Sequence, residues 1–284
     1  MSNSGLWPSL ISEYNLNEQI GKGSFGKVYK AYCKTMNKVC AIKIMKIIDL
    51  KNRNLKDRVD EEIRIQKKLL HKHVVTCYNA FKDEKYYYII LEYCDGGQLM
   101  NYVKNKKKLN EIECYNIFKQ MVSCVKYLHK QNVIHRDIKL QNILLLNKYD
   151  TNNIHVKLCD FGLAAMQKND GTDRSTMCGT PNYVAPEIAK NNGHNTKADI
   201  WSMGIILITM LTGRPPFETG DMKKTLNKVK NYKNYKQLNI NKYNLSVQCT
   251  DLLTKLLNSD PKKRININDI IYHPWMLQFN KLLP

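Results

Sequence analysis

At Gly96-Gly97 the chain changes its hydrophobic period, and this switch constrains the fold more than any other feature. Upstream, "YNLNEQIG", "GKVYKAYC", "KVCAIKIMKI", "VVTCYNAF" and "YYYIILEYC" carry β-branched and aromatic residues between turn-forming positions, as strands do. One helical stretch interrupts them, from about Asn54 to Leu70. Downstream the spacing is helical: Tyr115, Phe118, Met121, Val122, Val125 and Leu128 trace one face of a long amphipathic helix. "DIWSMGIILITMLTG" is apolar nearly all round and stops at Gly213, as a central buried helix would. "CTDLLTKLLNSDP" is a further amphipathic helix, ended by Asp260-Pro261. With no internal repeat, the pattern predicts an α+β protein of two lobes. The small one is β-rich with one helix, the larger one is α-helical, and a cleft lies between them.

Composition removes several alternatives. Hydrophobic residues make up 43% of the chain, which suits a globular protein rather than a disordered one. The longest apolar run, Ile200 to Leu211, is too short to span a bilayer. The first residues lack a basic start and long apolar core, and Ser2 replaces the glycine that myristoylation needs, so neither signal is expected. Nine scattered cysteines without a C-x-x-C pair suggest free thiols in a reducing, cytoplasmic compartment. A formal charge of +20 would suit a polyanion partner. Yet "KNKKKL" and "DPKKR" lie far apart, and no arginine-rich arm or aromatic-interleaved basic stripe accompanies them. A solvated, lysine-rich surface is the expectation, with neither nucleic acid nor membrane as partner.

Three stretches carry chemistry. "VIHRDIKLQNILLL" sets His135, Arg136, Asp137, Lys139, Gln141 and Asn142 between two apolar runs, a loop too polar to bury for packing alone. "IGKGSFGKVY" places Gly21, Gly23 and Gly26 between strand-like runs. Val28, Tyr29 and Ala31 then continue a strand where a dinucleotide site would need a helix, which favours a glycine hairpin whose amides lie over phosphates. Lys43 in "CAIKIM" sits on a strand among apolar neighbours, and an inward lysine needs a buried anion. Leu55, Val59 and Glu62 fall at i, i+4 and i+7, so Glu62 shares the apolar face while Glu61 turns away. Glu62 is therefore the natural partner.

Behind that lysine come "HRDIKLQN", "CDFGLA" and "VAPEI", in that order, and with them the chain resembles the eukaryotic protein kinase family over about Tyr14 to Trp275. The resemblance implies a kinase domain over 14–275, with a small lobe and connection at 14–95 and a large lobe at 96–275. It implies ATP and Mg²⁺ as cofactors. Asp137 would accept or orient the proton of a substrate hydroxyl, Lys139 would stabilise the transferring phosphate, and Lys43 would position phosphates under the hold of Glu62. Asn142 and Asp160 would hold Mg²⁺. Ile20, Gly21, Gly23, Gly26, Val28 and Ala41 would enclose the nucleotide. Glu92 to Cys94 would meet adenine through backbone groups, with Leu91 at the back of the pocket. His135 and Phe161 would couple loops, Asp199 would fasten the catalytic loop by accepting backbone hydrogen bonds, and Glu187 would pair with Arg264. Cys159 reads as a small buried thiol. A lysine two places after the aspartate goes with serine/threonine kinases. A catalytically dead kinase-fold binding module would show losses at Lys43, Glu62, Asp137, Asn142 or Asp160, and none is replaced.

Within the family, "TMCGTPNYVAPEI" and "LHKHVV" resemble polo-like kinases. "LEYC" and "GRPPFET" before "KKTLNKV" resemble the centriole-duplication branch. The sequence departs from that pattern at Gly26, commonly alanine in polo-like kinases, and at Lys139, often absent from the centriolar branch. The polo-box region is not among these 284 residues. "HRDIKLQNILL" and "HPWM" also suit calmodulin-dependent-type kinases, which stand as the alternative. The polo resemblance makes Thr176 the activating phosphosite, its phosphate received by Arg136, with Ser175 as competitor and Thr180 bonded to Asp137 and Lys139. It implies protein substrates acidic near the target Ser/Thr, with Gln98 as a local hint. It further implies an upstream kinase or autophosphorylation in trans, a monomeric catalytic domain, and cell-cycle work in the cytoplasm, at the centrosome or centriole, or in the nucleus. Lys43→Met and Asp137→Asn are expected to abolish transfer and leave the fold intact.

Overall fold

A computed structural model describes residues 7–23, 25–147, 154–166, 179–193, 195–238 and 240–280. The strand-like runs form one antiparallel sheet from β1 (Tyr14–Lys22), β2 (Lys27–Cys33), β3 (Lys38–Lys46), β4 (Cys77–Lys82) and β5 (Tyr86–Leu91), in the order β1-β2-β3-β5-β4. β3 is central and buried on both faces, with Cys40, Ala41, Ile42, Lys43 and Met45 inside. On one face Ile42, Tyr88 and Ile90 join Tyr14, Ala31, Cys33 and Cys40 in a core. On the other, Met45, Tyr87 and Ile89 pack with Leu50 and Val59.

Those last two residues lie on helices between β3 and β4. The expected helix is α2 (Lys56–Lys68), which buries Val59, Glu62, Ile65 and Gln66 along one face. A six-residue helix the period did not reveal, α1 (Ile47–Asn52), precedes it and buries only Leu50. Two or fewer turns give a hydrophobic period too little length to declare itself.

The large lobe is built on α3 (Leu99–Lys106), α4 (Glu111–Lys130), α5 (Pro186–Ala189), α6 (Thr196–Thr212), α7 (Met222–Lys230), α8 (Val247–Leu256), α9 (Ile267–Ile270) and α10 (Pro274–Asn280). α4 starts at a reciprocal cap, Asn110 accepting from the Glu113 amide while Glu113 accepts from the Asn110 amide. α6 is buried continuously from Ala198 to Leu211 and ends at Gly213, whose φ of 83° is the left-handed turn a helix exit favours. A β-carbon there would overlap the Lys107 carbonyl oxygen. Trp201 and Trp275 are wholly buried core residues, as expected.

This lobe is α-helical as expected, with one addition at its cleft edge. Four short strands form two ribbons, β6 (Val133–Ile134) with β9 (Ala165–Met166) and β7 (Ile143–Leu145) with β8 (Val156–Leu158). They bracket the polar octet and hold it at the cleft. No helix among the described residues is long and apolar enough to cross a membrane, and the described cysteines are free thiols.

Candidate active site

A cleft of about 340 Å³ opens between the sheet and the two ribbons. Ile20 and Gly21 from the end of β1, Gly23 just beyond it and Val28 from β2 roof it, with Ala41 and Lys43 of β3 behind them. Leu91, Glu92 and Cys94 form its inner edge, Asn142 and Asp160 its floor, and Glu62 reaches in from α2. Gly26 is the one expected nucleotide-enclosing residue outside this lining. A β-carbon on Gly26 would overlap the Ile44 carbonyl oxygen, so its glycine serves a close approach of the hairpin to β3.

The charges within the cleft are arranged around Lys43. Its Nζ lies 2.5 Å from Glu62 Oε1 and 3.4 Å from Asp160 Oδ1. Burial alone would push the ammonium down, but Glu62 and Asp160 together hold it above the ordinary lysine range. Burial lifts the Glu62 carboxyl while Lys43 pulls it back. The 2.5 Å contact favours the ionised pair. Burial acts to raise Asp160 as well, and Lys43 with His135 more than offsets it, leaving Asp160 below its usual range. Phe25, which the sequence reading passed over, sets its ring 5.8 Å from Lys43 Nζ.

The polar octet is fixed from below. Asp199, at the start of α6, is buried and accepts the His135 amide at 3.1 Å, the Arg136 amide at 3.0 Å and His129 Nε2 at 2.9 Å. Burial works against its charge, and these donors, His129 foremost, bring the carboxyl below its ordinary value. His135 accepts the Asp137 amide at Nδ1 (3.3 Å), leaving Nε2 to donate to the Cys159 carbonyl at 3.2 Å. Its ring meets Phe161 edge-on with centroids 4.9 Å apart, which couples the two loops. Arg136 and Asp160 both sit at positive φ, 66° and 62°, a backbone conformation that residues other than glycine and asparagine rarely adopt.

Asp137 is the hub of the floor. Its Oδ2 accepts Lys139 Nζ at 2.7 Å and Asn142 Nδ2 at 3.2 Å, and its Oδ1 accepts the Thr180 hydroxyl at 3.0 Å. Lys139 also donates to Thr180 Oγ1 at 2.9 Å. The expected link of Thr180 to both residues is present. Arg264 pairs with Glu187 through two bonds, of 2.7 and 2.9 Å, also as expected. Arg136 donates through Nε to the Leu163 carbonyl at 2.5 Å. Thr176, Ser175 and Cys178 lie outside the described residues.

Asn142 and Asp160 offer an amide and a carboxylate, hard oxygen donors of the kind Mg²⁺ takes. No group of three or more His, Cys, Asp or Glu among the described residues forms a complete metal cage. Gln141 Oε1, also lining the cleft, is buried with no hydrogen-bond partner, a polar atom a ligand would satisfy. Burial pushes the two cleft thiols up, Cys94 to about 12 and Cys159 further, so neither is a nucleophile at neutral pH.

A glycine hairpin above a lysine–glutamate pair, facing an aspartate–lysine–asparagine loop across one cleft, defines the class. Residues 14–276 match the family model described as "Protein kinase domain", and the chain belongs to that family. Among curated relatives, it is 40% identical over 281 residues to "Probable serine/threonine-protein kinase CCRP1" of Zea mays, covering 96% of this chain and 42% of that protein. It is 39% identical over 270 residues to "Serine/threonine-protein kinase PLK4" of Drosophila virilis, covering 94% and 33%. The Drosophila melanogaster protein of the same name is 39% identical over 269 residues, covering 94% and 34%. The chain thus spans roughly a third to two fifths of the length of these relatives.

Proposed function

We propose that the chain is a polo-like serine/threonine protein kinase, moving the terminal phosphoryl group of ATP to protein hydroxyls. The observation that carries this reading is the Thr180 hydroxyl held by both Asp137, at 3.0 Å, and Lys139, at 2.9 Å. A carboxylate and an ammonium already share one hydroxyl there, which is what a hydroxyl acceptor substrate would ask of them.

In this reading Asp137 orients the incoming hydroxyl and takes its proton, as a carboxylate within hydrogen-bond reach can. Lys139 stabilises charge on the transferring group, and Lys43, braced by Glu62, holds the phosphates. Asn142 and Asp160 hold the metal ion, for which we propose Mg²⁺; when bound it neutralises phosphate charge. The hairpin at Gly21 and Gly23 covers the phosphates. Residues 92–94 meet the base, with Leu91 behind it. Thr176 is the proposed activating phosphosite, on the sequence resemblance alone, with modification by an upstream kinase or in trans. The resemblance to polo-like kinases also supports acidic sequence near the target, a monomeric catalytic domain, and a cell-cycle role at the centrosome or centriole.

A positional peptide library with serine, threonine or tyrosine acceptors tests the reading. Serine and threonine should be labelled, with Asp or Glu enriched upstream. Selection for arginine upstream would favour the calmodulin-dependent type instead, and label on tyrosine alone would refute the proposed class.

A further inference from the structure

Lys157 is buried where packing alone does not explain it. It is the middle residue of β8, and Val156 and Leu158 on either side are buried as well. A lysine in such a strand ordinarily runs its stem along apolar surface and turns its ammonium to water. Here Nζ meets Glu92 Oε2 at 2.9 Å, with side chains 10% and 17% exposed. A pair this buried adds little net stability, because desolvating two charges consumes most of the attraction. An apolar residue would fill the strand as well. The reason for a lysine is to be sought in what Glu92 does.

Glu92 begins the connection after β5, at the inner edge of the cleft. Its Oε2 also accepts the Thr76 amide at 3.1 Å, and its own amide donates to the Thr76 carbonyl at 2.9 Å. The segment ending at Thr76 is bonded in turn to β8. Val75 donates to the Leu158 carbonyl and Leu158 to the His73 carbonyl, both at 2.9 Å, while His73 Nδ1 lies 3.0 Å from the Val156 carbonyl. Residues 73–76, 92 and 156–158, remote in sequence, therefore share one ladder of bonds. β8 leads directly into Cys159 and Asp160, and Leu144, its partner opposite Lys157, lines the cleft. The Lys157–Glu92 pair joins the inner edge of the cleft to the strand that delivers Asp160.

We infer that Lys157 is a positioning residue: through Glu92 it fixes the connection between the lobes in the pose that receives a nucleotide base. It does not line the cleft and acts without touching the nucleotide. The ligand rests on the kinase reading above, but the restraint on Glu92 does not. Without the ammonium, Glu92 Oε2 keeps the Thr76 amide as its one remaining donor in the ladder, and a half-paired, mostly buried carboxylate turns toward water. Arginine at the same place keeps the charge and can reach the same oxygen.

The test compares Lys157→Met, which keeps stem and volume, with Lys157→Arg. In nucleotide-free protein, hydrogen exchange at the Thr76 and Glu92 amides should speed up about tenfold in the Met variant and stay unchanged across α6. Titration with a fluorescent ATP analogue should show the dissociation constant raised about tenfold in Lys157→Met and within twofold of the parent in Lys157→Arg. At saturating ATP, turnover should change less than twofold, so the effect falls on KM. Unchanged exchange at Thr76 and Glu92 would overturn the inference. So would faster exchange with unaltered nucleotide affinity, or loss of protection spread through α6, which would make the role merely structural. A parent protein that binds no nucleotide would sink the kinase reading instead, and the exchange data would still decide whether Lys157 fixes Glu92.

Discussion

Lys43 and Glu62 form a salt bridge of 2.5 Å with side chains only 5% and 1% exposed. The expected pair is present, and its burial bears on the expectation that Lys43→Met leaves the fold intact. Substituting one member strands the other, and Glu62 Oε2 already has no hydrogen-bond partner among the described residues. Removing one partner of a buried pair costs about 3–5 kcal/mol, whereas replacing both by apolar residues is close to neutral. Lys43→Met should therefore lower the unfolding free energy at pH 7 by that amount, and Lys43→Met with Glu62→Leu should recover most of it. Burial raises Glu62, so in Lys43→Met the native carboxyl keeps its proton to higher pH than the unfolded one. The deficit is then small near pH 4 and grows as pH rises. Denaturant titrations at pH 4 and 7 check both the size and the sign, and a single variant as stable as the parent at pH 7 would contradict the pairing.

Gly26 gives a prediction of the opposite kind, about space rather than charge. Its β-carbon would overlap the Ile44 carbonyl oxygen and crowd Met45 Cγ at 2.6 Å. Gly26→Ala must lift the hairpin from β3, with a cost of about 1–3 kcal/mol, the range for overpacking. A hairpin carrying alanine at this position would have to ride higher over β3. A melting temperature that does not fall in Gly26→Ala would show that this hairpin can do the same.

The pairing of Lys43 with Glu62 was legible in the sequence because i, i+4 and i+7 spacing put Glu62 on the buried face of α2. The sheet and the long helices were legible for the same reason: nine-residue strands and a 20-residue helix carry enough repeats for a period to show. Strands of two or three residues carry none, so β6 to β9 did not show, although they flank the polar loop of Asp137 and Asn142. Thr180, Asp199, Glu187 and Arg264 came from family resemblance rather than from pattern. Lys157 escaped both routes, because "VKL" reads as a strand with its lysine turned out, and only the fold brings Glu92 to it.

His73 supplies a pH signature of the fold. Burial of its ring outweighs the bond to the Val156 carbonyl and, with His71 and Lys72 and Lys157 nearby, lowers it to about 4. Between about pH 6.5 and 4 the unfolded chain takes up a proton that the native ring refuses, so stability falls as pH falls through that window. The slope from this one group is at most about 1.4 kcal/mol per pH unit. His73→Asn, which can still donate to Val156, should flatten the acid limb by up to that slope. An unchanged limb would mean that the ring takes its proton in the native protein too.

The central claim is that Asp137 serves a hydroxyl acceptor in phosphoryl transfer. The most direct measurement is transfer of labelled phosphate from ATP with Mg²⁺ to casein, comparing the parent chain with Asp137→Asn at matched concentration. Asparagine is isosteric but keeps only one acceptor oxygen for the donors around Asp137, so a melt first establishes that the variant is folded. Loss of the proton acceptor should then cut turnover about 10²–10⁴-fold. The account predicts label on casein serine and threonine with the parent and background label with the folded variant. Equal labelling by both proteins, or none by a folded parent that binds ATP, would contradict it.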